Sequence, residues 1–137
     1  MKILVVHRQK IEVMEQIKSV LQTNNSIIRF SDSGLDGLLA ARIESFDLII
    51  CGTDLPVITG IELVRSLRTN SINKYTPVIF LTDVVTDKLE HLSNALGLAD
   101  MFQFKSLSEK LANVVDERVK VAPDIKWDDL LGMHRMN

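Results

Sequence analysis

The chain has 137 residues, the length of one domain, and its 46% hydrophobic and 25% charged residues exclude the low-apolar, high-charge mix of a disordered chain. Sixteen Lys and Arg against eighteen Asp and Glu leave a net charge of -2 with no polybasic run, which argues against nucleic acid or an anionic membrane as partner. The single cysteine, Cys51, excludes an intrachain disulfide and a cysteine-held metal, and no apolar run approaches the roughly 20 residues of a membrane span, so a cytoplasmic location is expected.

In chain order, the first element is a strand over Lys2–His7 (KILVVH), followed by a helix with Ile11, Met14, Ile17, Val20 and Leu21 at helical spacing and Asn24-Asn25 at its end. The second strand is Ser26–Ser31, and Ser33-Gly34 opens a helix whose core stripe is Leu35, Leu38, Leu39 and Ile43. A third strand at Phe46–Cys51 leads to a helix on Ile61, Val64 and Leu67. The fourth, Pro77–Thr82, leads to a helix on Leu89, Leu92 and Leu96, capped by Thr86 and closed by Gly97. The fifth, Met101–Phe104, leads to a helix on Leu107, Leu111, Val114 and Val115. Near-continuous Val, Ile and Phe runs are strands covered on both faces, so five alternations predict an α/β fold, a doubly wound five-stranded parallel sheet of (βα)5 type. After Pro123 a short polar segment carries Trp127, Leu130 and Leu131, either one helical turn laid on the domain or on a partner, or a tail or linker.

In an open parallel sheet the functional crevice lies beyond the carboxyl ends of the strands. Here those ends carry His7-Arg8, Cys51-Gly52-Thr53-Asp54, Thr82-Asp83 and Lys105-Ser106, which are expected to meet in one pocket. The stretch FDLIICGTDLPVITGIELVRSLR at 46–68, followed by TPVIFLTD and LADMFQFK, resembles the receiver domain of bacterial two-component response regulators. The resemblance covers residues 1–121, leaving 122–137 as a tail or linker, and implies strand order 2-1-3-4-5. Pro56 and Gly60 match the loop after the third strand, Thr82 the hydroxyl ending the fourth, Lys105 the lysine ending the fifth, and Phe102 the switch aromatic. Met1 stands directly before the first strand, as at the start of a receiver, so any missing sequence is expected on the carboxyl-terminal side.

The departures bear on chemistry. Where the family has two acidic residues that hold magnesium, this chain has His7 and Arg8; the family's acceptor aspartate, four residues before the loop proline, is Gly52; and Ser106 follows Lys105 in place of proline. Aspartyl phosphorylation needs a carboxylate nucleophile and a hard cation on the phosphoryl oxygens, and magnesium takes oxygen ligands, which Arg8 opposes with a fixed positive charge. Phosphotransfer is therefore expected to be absent, with no metal and no cofactor. Asp54 reads either as a displaced acceptor or as an ion-pair partner of Arg8 and Lys105, with Asp83 joining a mutually neutralised rim.

Other candidates read as structural. His7 is a hydrogen-bonded strand-end residue, His91 a surface residue, and neither forms a metal spacing with His134. Cys51 is a buried small side chain, Thr82 bonds locally, and Gly34 with Gly37 lacks the spacing of a phosphate loop. Two functions are expected from this. The first is a non-enzymatic pseudo-receiver that signals through protein contacts independent of phosphate, by resemblance through the face of the fourth helix, fifth strand and fifth helix, which includes Lys88, His91, Asn94, Gln103 and Ser108, with Phe102 fixed in one state. The second is a sensor that binds a small anion between Arg8, Lys105, Thr82 and the Gly52 amide. The sequence names neither partner nor oligomeric state.

Overall fold

A computed structural model describes residues 1–21, 26–69, 71–98 and 100–114. Strands β1 (Lys2–Val6), β2 (Ile27–Ser31), β3 (Leu48–Gly52), β4 (Val78–Thr82) and β5 (Asp100–Gln103) form one sheet in the order β2-β1-β3-β4-β5. Every neighbouring pair is parallel, with registers such as Val6 opposite Ser31 and Cys51, and Gly52 opposite Leu81. Helices α1 (Lys10–Leu21), α2 (Gly34–Ile43), α3 (Gly60–Thr69) and α4 (Asp87–Ala95) connect them, and residues 107–114 form α5. The expected α/β architecture and strand order are thus observed.

Alternate strand residues feed two cores, because successive side chains leave a strand on opposite faces. Ile3, Val5, Leu48, Ile50, Ile79, Leu81 and Phe102 pack against Val13, Ile17 and Leu21 of α1 and Leu107 and Leu111 of α5. Leu4, Val6, Ile49, Cys51, Val78 and Phe80 pack against Ala40 and Ala41 of α2 and Leu63, Val64 and Leu67 of α3, with Leu89 of α4 and Leu96 at its C-cap at the margin. The expected caps are present: Ser33 Oγ accepts from Asp36 N–H, Thr86 Oγ1 accepts from Leu89 N–H, and Gly97 ends α4 with φ +66°.

Three readings need correction. Helix α2 does not bury the stripe Leu35, Leu39 and Ile43; it buries Gly34, Gly37, Ala40 and Ala41, because only small residues allow its close approach to β1 and to the loop before α3. Ile11 of α1 is exposed, Val13 taking its place inside, and β5 ends at Gln103 rather than Phe104. Asn24-Asn25, Val115, the boundary at 121, the tail 122–137 and His134 lie outside the described residues.

Candidate functional site

The strand ends do form a cavity, of about 450 Å3, lined by His7, Arg8, Gly52, Asp54, Thr82 and Asp83, with Gln9, Thr53, Leu81 and Phe104. The loop after β3 shapes one wall. Pro56 accepts from Ile58 N–H at 2.8 Å across Val57, which is held at φ +71°, an uncommon conformation for a β-branched residue. Gly60 then lies so near the end of β3 that a Cβ there would sit 2.1 Å from Gly52 O. Pro56 and Gly60 thereby set the path of the chain past Gly52.

His7 occupies the centre. A Cβ built on Gly52 would lie 3.0 Å from His7 Cδ2 and 3.5 Å from Leu55 Cδ2, so the imidazole takes up the space into which a side chain at 52 would grow. The ring lies against Phe104, centroids 5.2 Å apart and tilted 34°. Its Nδ1 accepts from Gln9 N–H at 3.0 Å, which leaves the neutral tautomer with its proton on Nε2. Burial holds the His7 pKa below its ordinary value; Asp83 and Glu12 push it up more weakly, and Arg8 pushes it down. The half-buried ring is therefore a neutral plug, seated by a backbone amide and an aromatic face.

Arg8 turns outward and donates to Asp54 Oδ2 at 2.7 Å. Both side chains are largely exposed, so the pair adds about 0–1 kcal/mol to stability while directing Asp54 to the cation. Of the two readings of Asp54, this geometry is that of an ion-pair partner. Thr82 Oγ1 donates to Val84 O at 3.0 Å, the local bond expected of it. Cys51 is fully buried, and burial pushes its thiol up to about 12, as befits an inert packing residue.

The expected rim of four mutually neutralised charges is not assembled. Lys105 is exposed, does not line the cavity and pairs with neither Asp54 nor Asp83. The chain leaves β5 through a 3-10 turn at Phe104–Ser106, which brings Phe104 to the cavity and turns Lys105 to solvent. Asp83 is exposed at the cavity wall, pairs with no cation among the described residues, and acts on His7 through its field. A magnesium ion of the kind the resemblance implies does not fit these donors: an imidazole and a guanidinium stand at the acidic positions, and Asp54 is engaged by Arg8. Among the described residues, no three His, Cys, Asp or Glu side chains gather as a metal-holding group.

Phe102 is 1% exposed and packs in the core with Leu107 and Leu111, with the Lys110 ammonium 5.6 Å from its ring centroid. Lys88, His91 and Asn94 lie exposed on α4, while Gln103 and Ser108 are half-buried. Sequence reasoning missed Asn73, which is fully buried: its Nδ2 donates to Ala41 O and Glu44 O, and its Oδ1 accepts from Phe46 N–H and Thr76 Oγ1–H. It also missed Phe104, whose one visible signal is an aromatic directly before Lys105.

A doubly wound parallel sheet with its cavity beyond the ends of β1, β3 and β4 defines a flavodoxin-like α/β domain with a strand-end site. The chain belongs to the response regulator receiver domain family, whose model matches residues 3–115, and is thus a receiver domain of the two-component type. It is 35% identical over 117 residues to the transcriptional regulatory protein CusR of Escherichia coli K12, covering 83% of this chain and 49% of that one. It is also 34% identical over 118 residues to the transcriptional regulatory protein HprR of Escherichia coli K12, covering 83% and 50%. The chain spans about half the length of these relatives. Among solved structures, the chemotaxis response regulator CheY4 of Vibrio cholerae aligns with TM-score 0.69 and 27% identity, covering 82% of this chain and 97% of that one. The Francisella response regulator 1452 receiver domain shares the fold, with TM-score 0.69 at 23% identity over 86% and 98% of the two chains. No helix among the described residues is long and apolar enough to cross a membrane.

Proposed function

We propose that this receiver domain is a pseudo-receiver: it keeps the fold, does not carry out aspartyl phosphorylation, and signals through protein contacts that do not depend on phosphate. The observation that carries the reading is the His7 imidazole packed against Gly52, where the acceptor carboxylate would otherwise stand. A glycine has no oxygen to attack phosphorus, and the neutral ring beside it supplies no ligand set for a hard cation. Arg8 is already held by Asp54, so neither residue stands ready for phosphoryl chemistry.

Phe102, turned into the core, supports a surface kept in one state, and the exposed α4 residues Lys88, His91 and Asn94 support α4, β5 and α5 as the partner face. The anion-sensing alternative has lost Lys105 from its cradle, and Arg8 is committed to Asp54, so no observation favours it. Acetyl phosphate with magnesium, read by intact mass, tests the proposal. The expected result is an unmodified chain; a single phosphoryl adduct on Asp54 would overturn it.

A further inference from the structure

A second groove, of about 630 Å3, opens at the other end of the sheet from the strand-end cavity, between the C-terminal ends of α3 and α4 and the turn before β4. Its lining includes Arg65, Arg68, Lys74, Tyr75, Pro77 and Leu96, with three cations and no carboxylate, net +3 in a chain whose net charge is -2. The cations differ in what holds them. Arg68 is committed to the fold: its Nε donates to Leu96 O at 3.2 Å, its Nη1 to Lys74 O at 3.0 Å and Thr76 O at 2.7 Å, and its Nη2 to Gly97 O at 3.4 Å. Carbonyl oxygens fix the guanidinium without cancelling its charge. Arg65, one turn earlier on the same face of α3, is exposed, and its guanidinium has no hydrogen-bond or ion-pair partner among the described residues. Lys74 is exposed with its ammonium 5.5 Å from the Tyr75 ring centroid, and it too has no carboxylate partner among the described residues.

The turn that carries Lys74 and Tyr75 is anchored on both sides. Asn73 and Thr76 are buried: Asn73 Nδ2 donates to Glu44 O, its Oδ1 accepts from Phe46 N–H, and Thr76 Oγ1 donates to Phe46 O. Thr76 N–H also donates back to Asn73 O across the two residues between them. Tyr75 is nevertheless 87% exposed. A turn held this firmly, presenting an aromatic ring and a cation beside a second unpaired cation, loses little conformational freedom on binding. We propose that this groove is a docking surface for an acidic segment of a partner protein, whose carboxylates meet Arg65 and Lys74 and whose apolar side chains lie on Tyr75, Pro77 and Leu96. Charge complementarity selects the acid, and the free Arg65 guanidinium has the fork that donates to both oxygens of one carboxylate. The surroundings of the two free cations select a peptide: a nucleic-acid backbone calls for a row of cations, whereas these two flank an apolar floor.

The test titrates the isotopically labelled full chain with a short peptide that repeats Glu-Glu-Phe and follows the amide signals. Saturable shifts are expected at Arg65, Lys74, Tyr75, Leu96 and Gly97, weakening as salt is raised. Arg65→Glu with Lys74→Glu should weaken binding about tenfold or more, since two attractions are replaced by two repulsions. Lys18→Glu, at an exposed cation of α1, should leave binding unchanged. Should the double reversal fail to fold, Arg65→Gln with Lys74→Gln removes the charges without inverting them and should give a smaller loss in the same direction. Absent shifts, shifts that the charge variants leave unaltered, or equal binding of a peptide that repeats Gln-Gln-Phe overturns the proposal. So does tighter binding of inorganic phosphate or of a DNA duplex at the same amides, which would give the groove to a free anion or to nucleic acid. Phosphoryl chemistry plays no part in this contact, so its failure leaves the phosphate-independent reading standing, and a phosphoryl adduct on Asp54 would leave this groove as it is.

Discussion

The contact between His7 and Gly52 makes the effect of Gly52→Ala depend on its neighbour. Gly52 is not among the described residues with positive φ, so its backbone accepts alanine, and restricting the unfolded chain would by itself stabilise the fold by about 0.4–1 kcal/mol. With His7 in place, however, the new methyl lies 3.0 Å from Cδ2 of a ring backed by Phe104 and tethered to the Gln9 amide. The ring must move by a few tenths of an ångström against both restraints, and overpacking of this kind costs about 1–3 kcal/mol. Gly52→Ala should therefore destabilise the protein by about 1 kcal/mol on balance, yet stabilise it when His7 is already alanine. Urea unfolding of the four proteins of the cycle, with a common m-value, measures the coupling, expected at about 1–3 kcal/mol. Additivity within about 0.5 kcal/mol would refute the plugged site.

Three further outcomes follow from particular contacts. The native fold holds His7 neutral below its ordinary pKa of 6.5, so as pH falls beneath that value the unfolded chain binds the proton first and stability drops toward the folded pKa. His7→Phe should flatten that part of the stability curve relative to the parent chain, as followed by thermal melts across the acid range. Asn73→Ala leaves the Phe46 amide and the Ala41 and Glu44 carbonyls without their partner, Thr76 keeping its bond to Phe46 O, and should cost about 3 kcal/mol or more, at about 1–3 per group left dry, by chemical denaturation. Cys51 should resist thiol reagents in the native protein and react only as the chain unfolds; prompt modification under native conditions would contradict its burial.

The sheet was legible because apolar runs such as Leu48–Cys51 and Val78–Leu81, buried on both faces, can hardly be anything else between helical segments. Caps at Ser33, Thr86 and Gly97 were legible for a local reason, each being settled within a few residues. Helix α2 misled because hydrophobicity alone selects Leu35, Leu39 and Ile43, whereas the space between helix and sheet selects size, and only Gly34, Gly37, Ala40 and Ala41 are small enough. That His7, Arg8 and Gly52 stand at the strand ends could be read residue by residue. That His7 would fill the room left by Gly52 could not, since it depends on the fit between two strand ends 45 positions apart in sequence. Lys105 left the cavity through a turn of three residues, a boundary shift finer than periodicity resolves.

Beryllium fluoride with magnesium is a stable mimic of the phosphoryl group and needs no turnover to be seen. Titrated into isotopically labelled protein, it should leave the amide signals of Gly52, Thr53, Asp54, Thr82 and Asp83 unmoved if, as proposed, this is a pseudo-receiver, with the His7 imidazole packed against Gly52 and Asp54 held by Arg8. Saturable shifts centred on these residues and dependent on the divalent ion would contradict the account.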